Sequence, residues 1–147
     1  MPITTFKSST LMQDGFSVKC ESRGHTIVLD EARNLGGSDS GMNPIEAALS
    51  ALGACQVIVA KLYAKNKGID LLDFKIELEG DIDTDAFNDD QRSPYIEEIR
   101  TKVFIKSSSP EEEVRKFVNF VENNCPVANI LKNPAQMIPE VIIETAE

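Results

Sequence analysis

Apolar and polar residues alternate, cluster and part along this chain in a way that marks out most of its elements. Ile3 to Leu11, Gly15 to Glu21 and His25 to Leu29 are short β-leaning runs, separated by the turn signals Gln13-Asp14-Gly15 and Arg23-Gly24. Asn34 to Met42 (NLGGSDSGM) is a glycine- and serine-rich loop. Asn43 then reads as an N-cap and Pro44 suits the first helical position. Glu46 falls at the third, where a carboxylate complements the helix dipole. Helix formers continue from Ile45 to about Lys67, and Gly68 follows as the expected terminating glycine. Between Ala47 and Ala60 almost every face of this helix is apolar, so it must be covered on several sides. Wrapping by the rest of the chain, or a large subunit interface, accomplishes that, and we take it as pointing to an obligate dimer.

Downstream, Phe74-Lys75-Ile76-Glu77-Leu78-Glu79-Gly80 alternates with period two, the mark of a half-buried strand. Asp83 to Ser93 is polar and acidic and reads as a mobile loop. Tyr95 to Lys106 resumes strand character, with Ile99, Val103 and Ile105 on one face. Ser109-Pro110-Glu111-Glu112-Glu113 reads as N-cap, first-turn proline and acidic first turn, and Val114, Phe117, Val118 and Val121 supply a helical stripe. A short helix after Cys125-Pro126 runs to about Lys132, and Val141-Ile142-Ile143 suggests a closing strand. Strands, a long helix, strands, then helices and a strand make an α+β pattern, and no repeat divides it. The 147 residues are expected to form one domain, 1–147.

Charge narrows the partners. Fifteen Lys and Arg against 24 Asp and Glu give a net charge of −9, which opposes binding to nucleic acid or to anionic membrane surfaces. The first residues lack a long apolar leader segment, and the apolar run Ala47–Ala60 is shorter than the roughly 20 residues of a membrane span. Three widely spaced cysteines fit a reducing compartment, so the expectation is a soluble, cytoplasmic protein.

The candidate chemistry is thiol chemistry. Cys55 lies within the apolar helix, where a buried cysteine behaves as a small hydrophobe and is inert unless a cation or donor reaches it. Cys125 opens Asn124-Cys125-Pro126-Val127-Ala128, which reads as a helix start, and a thiolate at the positive end of a helix has a lowered pKa. Cys20 sits in a strand flanked by charges and is incidental. His25 is the only histidine, at a strand start, so a Cys–His hydrolase is disfavoured. No C-x-x-C or H-x-x-x-H spacing supports a structural zinc. Gly36 and Gly41 have the spacing of a phosphate loop, but Met42-Asn43 stands where Lys-Ser/Thr is required.

Gly36-Gly37, Asn43-Pro44-Ile45-Glu46-Ala47-Ala48-Leu49 and Ala51-Leu52-Gly53-Ala54-Cys55 resemble the first cysteine helix of the OsmC/Ohr family. Cys125-Pro126-Val127 followed by Ile130-Leu131 resembles its second cysteine motif, and the order of elements matches over most of the chain. The resemblance implies an OsmC-like fold, with strands wrapped around long central helices in an intertwined, swapped homodimer. It also implies reduction of organic hydroperoxides, with Cys55 as the peroxidatic thiol and Cys125 as the resolving thiol, and lipoyl-type dithiols as reductants. Two thiols suffice for that chemistry, with no metal or other cofactor.

Peroxidase members of the family also use an arginine and a glutamate at the thiol, the glutamate directly following the proline of Asn-Pro. Here that position is Ile45, and Glu46 is displaced by about 100° around the helix. Arg33 is the nearest candidate for the arginine, with Arg23 as the alternative, and the pattern is closest to the OsmC-like branch. The expected catalytic set is therefore Cys55, Cys125, Arg33 and Glu46. Two rivals remain. One is a non-catalytic OsmC-like protein binding an apolar small molecule or a partner in the dimer cleft; the other is a general thiol–disulfide exchange factor.

Overall fold

The computed structural model describes residues 1–146 and divides the chain into two compact units, each drawing on two stretches. The first is Met1–Gly53 with Ile76–Val103; the second is Ala54–Lys75 with the chain from Phe104 on.

The first unit opens with an antiparallel sheet of β1 (Ser9–Met12), β2 (Val18–Ser22) and β3 (His25–Leu29), in that order. Ser22 pairs with His25, which leaves Arg23-Gly24 as the whole turn. Both turn residues have left-handed φ, 53° and 83°, which matches the twist of a two-residue hairpin. β1 is shorter than the run Ile3–Leu11, because β2 turns away after Ser22 and leaves the earlier residues no strand to pair with.

Helix α1 spans Pro44–Tyr63 and begins as the sequence predicts. Asn43 N–H donates to Glu46 Oε2 at 2.8 Å and Glu46 N–H to Asn43 Oδ1 at 2.8 Å, a reciprocal capping box. Regular helix stops at Tyr63 rather than Lys67, yet Gly68 still ends it: its φ is 69°, and Gly68 N–H donates to Lys65 O while Ile69 N–H reaches back to Ala64 O. This turn sends Ile69 into the core, which is why the chain leaves the helix there. With 20 residues and a mean hydropathy of 1.6 over its most apolar window, α1 is long and apolar enough to cross a membrane, unlike the shorter run Ala47–Ala60.

Two long strands, β4 (Leu71–Ile82) and β5 (Ile96–Ser107), pair as a two-stranded sheet. Phe74, Ile76, Leu78 and Gly80 are half-buried in strict alternation, as the period of two predicts. In the first unit α1 lies close against β4: a Cβ on Gly53 would stand 2.8 Å from Leu78 Cδ1. The acidic stretch after β4 is not a featureless loop. Thr84–Asn88 forms a 3-10 turn capped by Asp83, and Arg92 ties Asp83 to Asp89 at 2.6 and 2.8 Å.

In the second unit α2 runs Glu111–Asn123 and α3 Pro126–Lys132. Val114, Phe117 and Val121 are buried on α2, the stripe read from the sequence. Ser109 is not the cap of α2. Pro110 occupies that place, and Ser109 Oγ instead accepts from Asp70 N–H at 2.9 Å, a partner 39 residues away that local pattern cannot reveal. The core gathers Val59, Ala60, Ala64, Ile69, Phe117 and Val121. Val141-Ile142-Ile143 forms no strand: among the described residues it meets no sheet edge of its own chain, and its side chains stand exposed.

Candidate active site

The two cysteines of interest both lie in the second unit, and its packing brings them together. Cys55, on the second half of α1, is half-buried and packs against the core formed by Val59, Ala60, Phe117 and Val121. Cys125 owes its place to the tight link between α2 and α3. Asn124 ends α2, with both its N–H and its side-chain amide donating to Phe120 O, and Cys125 N–H then donates to Glu122 O at 3.3 Å. Pro126 starts α3 in the next position, so the Cys125 side chain faces the first turn as its N-cap. Its Sγ accepts from Ala128 N–H at 3.4 Å and is fully buried, with 0% exposure.

The Cys125 thiol meets the Cys55 thiol. Burial pushes the Cys125 pKa above the ordinary cysteine value, and the hydrogen bond and charge interaction with Cys55 raise it further. Amides of Ala128 and Val127 at the start of α3 pull in the other direction, but they lose. The expectation of a lowered pKa at the helix start is thereby corrected: the local dipole argument is sound, and desolvation outweighs it. Burial and the neighbouring Cys55 thiol thus both favour the protonated form of Cys125.

Arg33 lies in the first unit, exposed on a 3-10 turn, Arg33–Leu35. The loop that carries it is built around Asp30, which is only 2% exposed and was not singled out in the sequence. The Asp30 carboxylate accepts from Glu31 N–H (2.8 Å), Ser38 N–H (3.3 Å), Ser40 N–H (3.2 Å) and Ser40 Oγ (2.7 Å). These bonds, that to Ser40 Oγ foremost, hold its pKa below the usual carboxylate range. Gly37 and Gly41 let the loop close. A Cβ at Gly37 would stand 1.9 Å from Glu31 O, and one at Gly41 2.2 Å from Val28 O. The glycines therefore serve close backbone approach around a carboxylate, whose negative charge already takes the N–H donors a phosphate would need. An aspartate ending a strand just before a Gly/Ser run is the signal that could have identified this hub.

Glu46 has its carboxylate in the capping box of α1. Arg23 and His25 are exposed at the β2–β3 turn. Cys20 is half-buried in the sheet, where it accepts from Thr10 Oγ1 at 3.6 Å. Of the expected catalytic set, Cys55 and Cys125 form a pair; Arg33 and Glu46 occupy defined places in the first unit.

The geometry agrees with what the chain is similar to. The family model described as OsmC-like protein matches residues 37–140. A protein of Mycoplasma genitalium named hydroperoxide reductase is 32% identical over 123 residues, 84% of this chain and 84% of that protein. A Mycoplasma pneumoniae protein of the same name is 28% identical over 131 residues, 88% of this chain and 82% of its own. The crystal structure of an OsmC-like protein from Mycoplasma pneumoniae superposes with a TM-score of 0.78 at 26% identity, covering 89% of each chain. The α+β class and the OsmC-like fold expected from the sequence are those of the structure.

Proposed function

Because the chain belongs to the OsmC-like protein family, we propose that it reduces organic hydroperoxides with the thiols of Cys55 and Cys125, as a defence against oxidative stress. The contact between these two thiols carries the proposal, and two relatives named hydroperoxide reductase support the choice of substrate. The Cys55 thiolate attacks the distal peroxide oxygen, the O–O bond breaks, and the alcohol leaves with a proton. Cys55 is then a sulfenic acid. Cys125 already faces that sulfur as a protonated thiol; it forms the S–S bond, and its proton leaves with the hydroxyl as water. A lipoyl-type dithiol returns both thiols to the reduced state by exchange.

In this reading Arg33 remains the proposed source of the charge that activates Cys55, and unchanged turnover in Arg33→Ala would remove it from the set. Glu46 serves the site through the start of α1. No step calls on a metal or other cofactor, and we place the protein in the cytoplasm, where its thiols stay reduced.

We propose further that the working form is a homodimer. The chain exposes 12028 Å² for its 16.2 kDa, whereas a compact monomer of that mass exposes about 7,500 Å². An excess of this size is on the scale of an obligate interface. Ile27 and Val28, on opposite faces of the β1–β3 sheet, are 58% and 41% exposed, so each face needs cover. Along α1, Ala51, Ala54, Ile58 and Leu62 leave an open stripe, and Val141-Ile142-Ile143 needs an edge to pair with. Sedimentation at micromolar concentration should give twice the chain mass; a stable monomer would refute the dimer.

Steady-state consumption of cumene hydroperoxide with dihydrolipoamide as reductant tests the activity. Wild-type protein should turn over, Cys55→Ser should be inactive, and Cys125→Ser should stop at the sulfenic acid. No consumption by the wild type, with thiols that alkylate only on unfolding, would overturn the proposal in favour of a ligand-binding scaffold. Reduction of insulin by the same protein would favour general disulfide exchange.

A further inference from the structure

We infer that regeneration of the oxidised pair is directional: the reducing dithiol attacks the sulfur of Cys55, and Cys125 is the sulfur expelled. The inference deepens the proposed function, since it concerns the same two sulfurs, but it does not depend on what oxidises them.

Cys125 is closed off by its own chain, with 0% exposure, while Cys55 is half-buried. A second copy can only add cover, so no assembly opens Cys125 without moving α3. One side of Cys125 Sγ faces Cys55, and another is occupied by Ala128 N–H at 3.4 Å. Attack on a disulfide requires access to the sulfur attacked and stabilisation of the sulfur that leaves. Cys55 is the sulfur of the two that its own chain leaves open. Cys125 meets the second requirement only with a proton delivered as it leaves, because burial holds its pKa above the ordinary value in spite of the Ala128 and Val127 amides, so access decides the direction.

In bonds and electrons, one thiolate of the dithiol forms a bond to Cys55 Sγ while the Cys55–Cys125 bond breaks. Cys125 departs with the electron pair and takes a proton, derived from the second thiol of the reductant. That second sulfur, now a thiolate, attacks the first sulfur of its own molecule. A cyclic disulfide leaves, and Cys55 is released as thiolate. The protein gains two electrons and the dithiol loses two. The arrangement also gives α3 a part in turnover, since its first turn holds Cys125 out of reach while the mixed disulfide stands on Cys55.

The test uses the full chain, oxidised with diamide so that hydroperoxide reactivity plays no part. The oxidised protein is mixed with excess 2-mercaptoethanol, quenched in acid within seconds, alkylated, and mapped by peptide mass, which separates Cys20 from the pair. The mercaptoethanol adduct is expected on Cys55 and the alkyl group on Cys125, at least tenfold over the reverse pattern. Adducts on Cys125, or equal amounts on both, would overturn the inference; so would a pair that diamide cannot join. A second measurement guards against adducts too short-lived to trap. In Cys125→Ser, Cys55 should react with an aromatic disulfide at least tenfold faster than Cys125 does in Cys55→Ser, and similar rates would refute the asymmetry. Directional adducts in a protein that ignores hydroperoxides would sink the proposed substrate and leave this inference standing.

Discussion

Replacing Gly37 with alanine should break the loop between β3 and α1 at a cost far above that of an ordinary glycine substitution. The new Cβ would stand 1.9 Å from Glu31 O, where ordinary contact begins at 3.4 Å, so backbone must move by about 1.5 Å. No side chain can yield instead, because the three nearest atoms all belong to the Glu31 main chain. The displacement falls on Gly37 N–H to Ala32 O and on Asp39 N–H to Glu31 O, now 3.1 and 3.0 Å, bonds that net about 1 kcal/mol each. Overpacking adds about 1–3 kcal/mol, for a loss of about 3–5 kcal/mol in all. With a urea dependence of about 2 kcal/mol per molar, the unfolding midpoint should drop by about 1.5–2.5 M at fixed protein concentration. Gly24→Ala is the control: its φ is also positive, at 83°, but nothing lies within 4 Å of the added Cβ. That change costs only the left-handed backbone strain, about 1–2 kcal/mol. Equal midpoints for the two variants would refute the close-approach account of the glycine loop.

Three further outcomes follow from the same structure. Because the folded state holds the Cys125 proton above the ordinary pKa of 9.0, the unfolded chain loses its proton first. The contribution is complete below about pH 9 and declines as pH rises through the folded pKa, with a limiting slope of about 1.4 kcal/mol per pH unit; urea midpoints between pH 8 and 10 should fall more steeply for the wild type than for Cys125→Ser. Glu46→Ala should cost about 1 kcal/mol through the lost half of the capping box, while Glu46→Gln, which still accepts from Asn43 N–H, recovers most of it in a thermal melt. Phe117→Ala, at a site 3% exposed in the core beside Val59 and Val121, should lose about 3–5 kcal/mol by chemical denaturation.

What could be read in the chain was whatever rested on neighbours in sequence. The capping box at Asn43, the alternation through β4, the stripe on α2 and the cap at Cys125 all depend on residues a few positions apart, and each stands as the pattern indicates. What escaped depended on distant partners. Ser109 looked like a cap until Asp70 claimed its hydroxyl oxygen. Asp30 looked like any loop-edge aspartate until four donors converged on it. The pKa of Cys125 turned on burial, which no helix-start pattern reports. Val141-Ile142-Ile143 has strand chemistry but no strand, because pairing needs an edge that the sequence cannot place. The site divides in the same way. Motif and order named Cys55 and Cys125, and only the packing of α1 with the α2–α3 link brings their sulfurs into contact.

The central claim is that these two sulfurs form one redox pair driven by hydroperoxide. Fully reduced protein treated with one equivalent of cumene hydroperoxide, quenched and mapped by peptide mass, tests it most directly. The account predicts loss of two thiols per chain, a Cys55–Cys125 disulfide, an untouched Cys20, and a trapped sulfenic acid on Cys55 in Cys125→Ser. Thiols that survive the treatment, or a disulfide that joins any other pair, would contradict it.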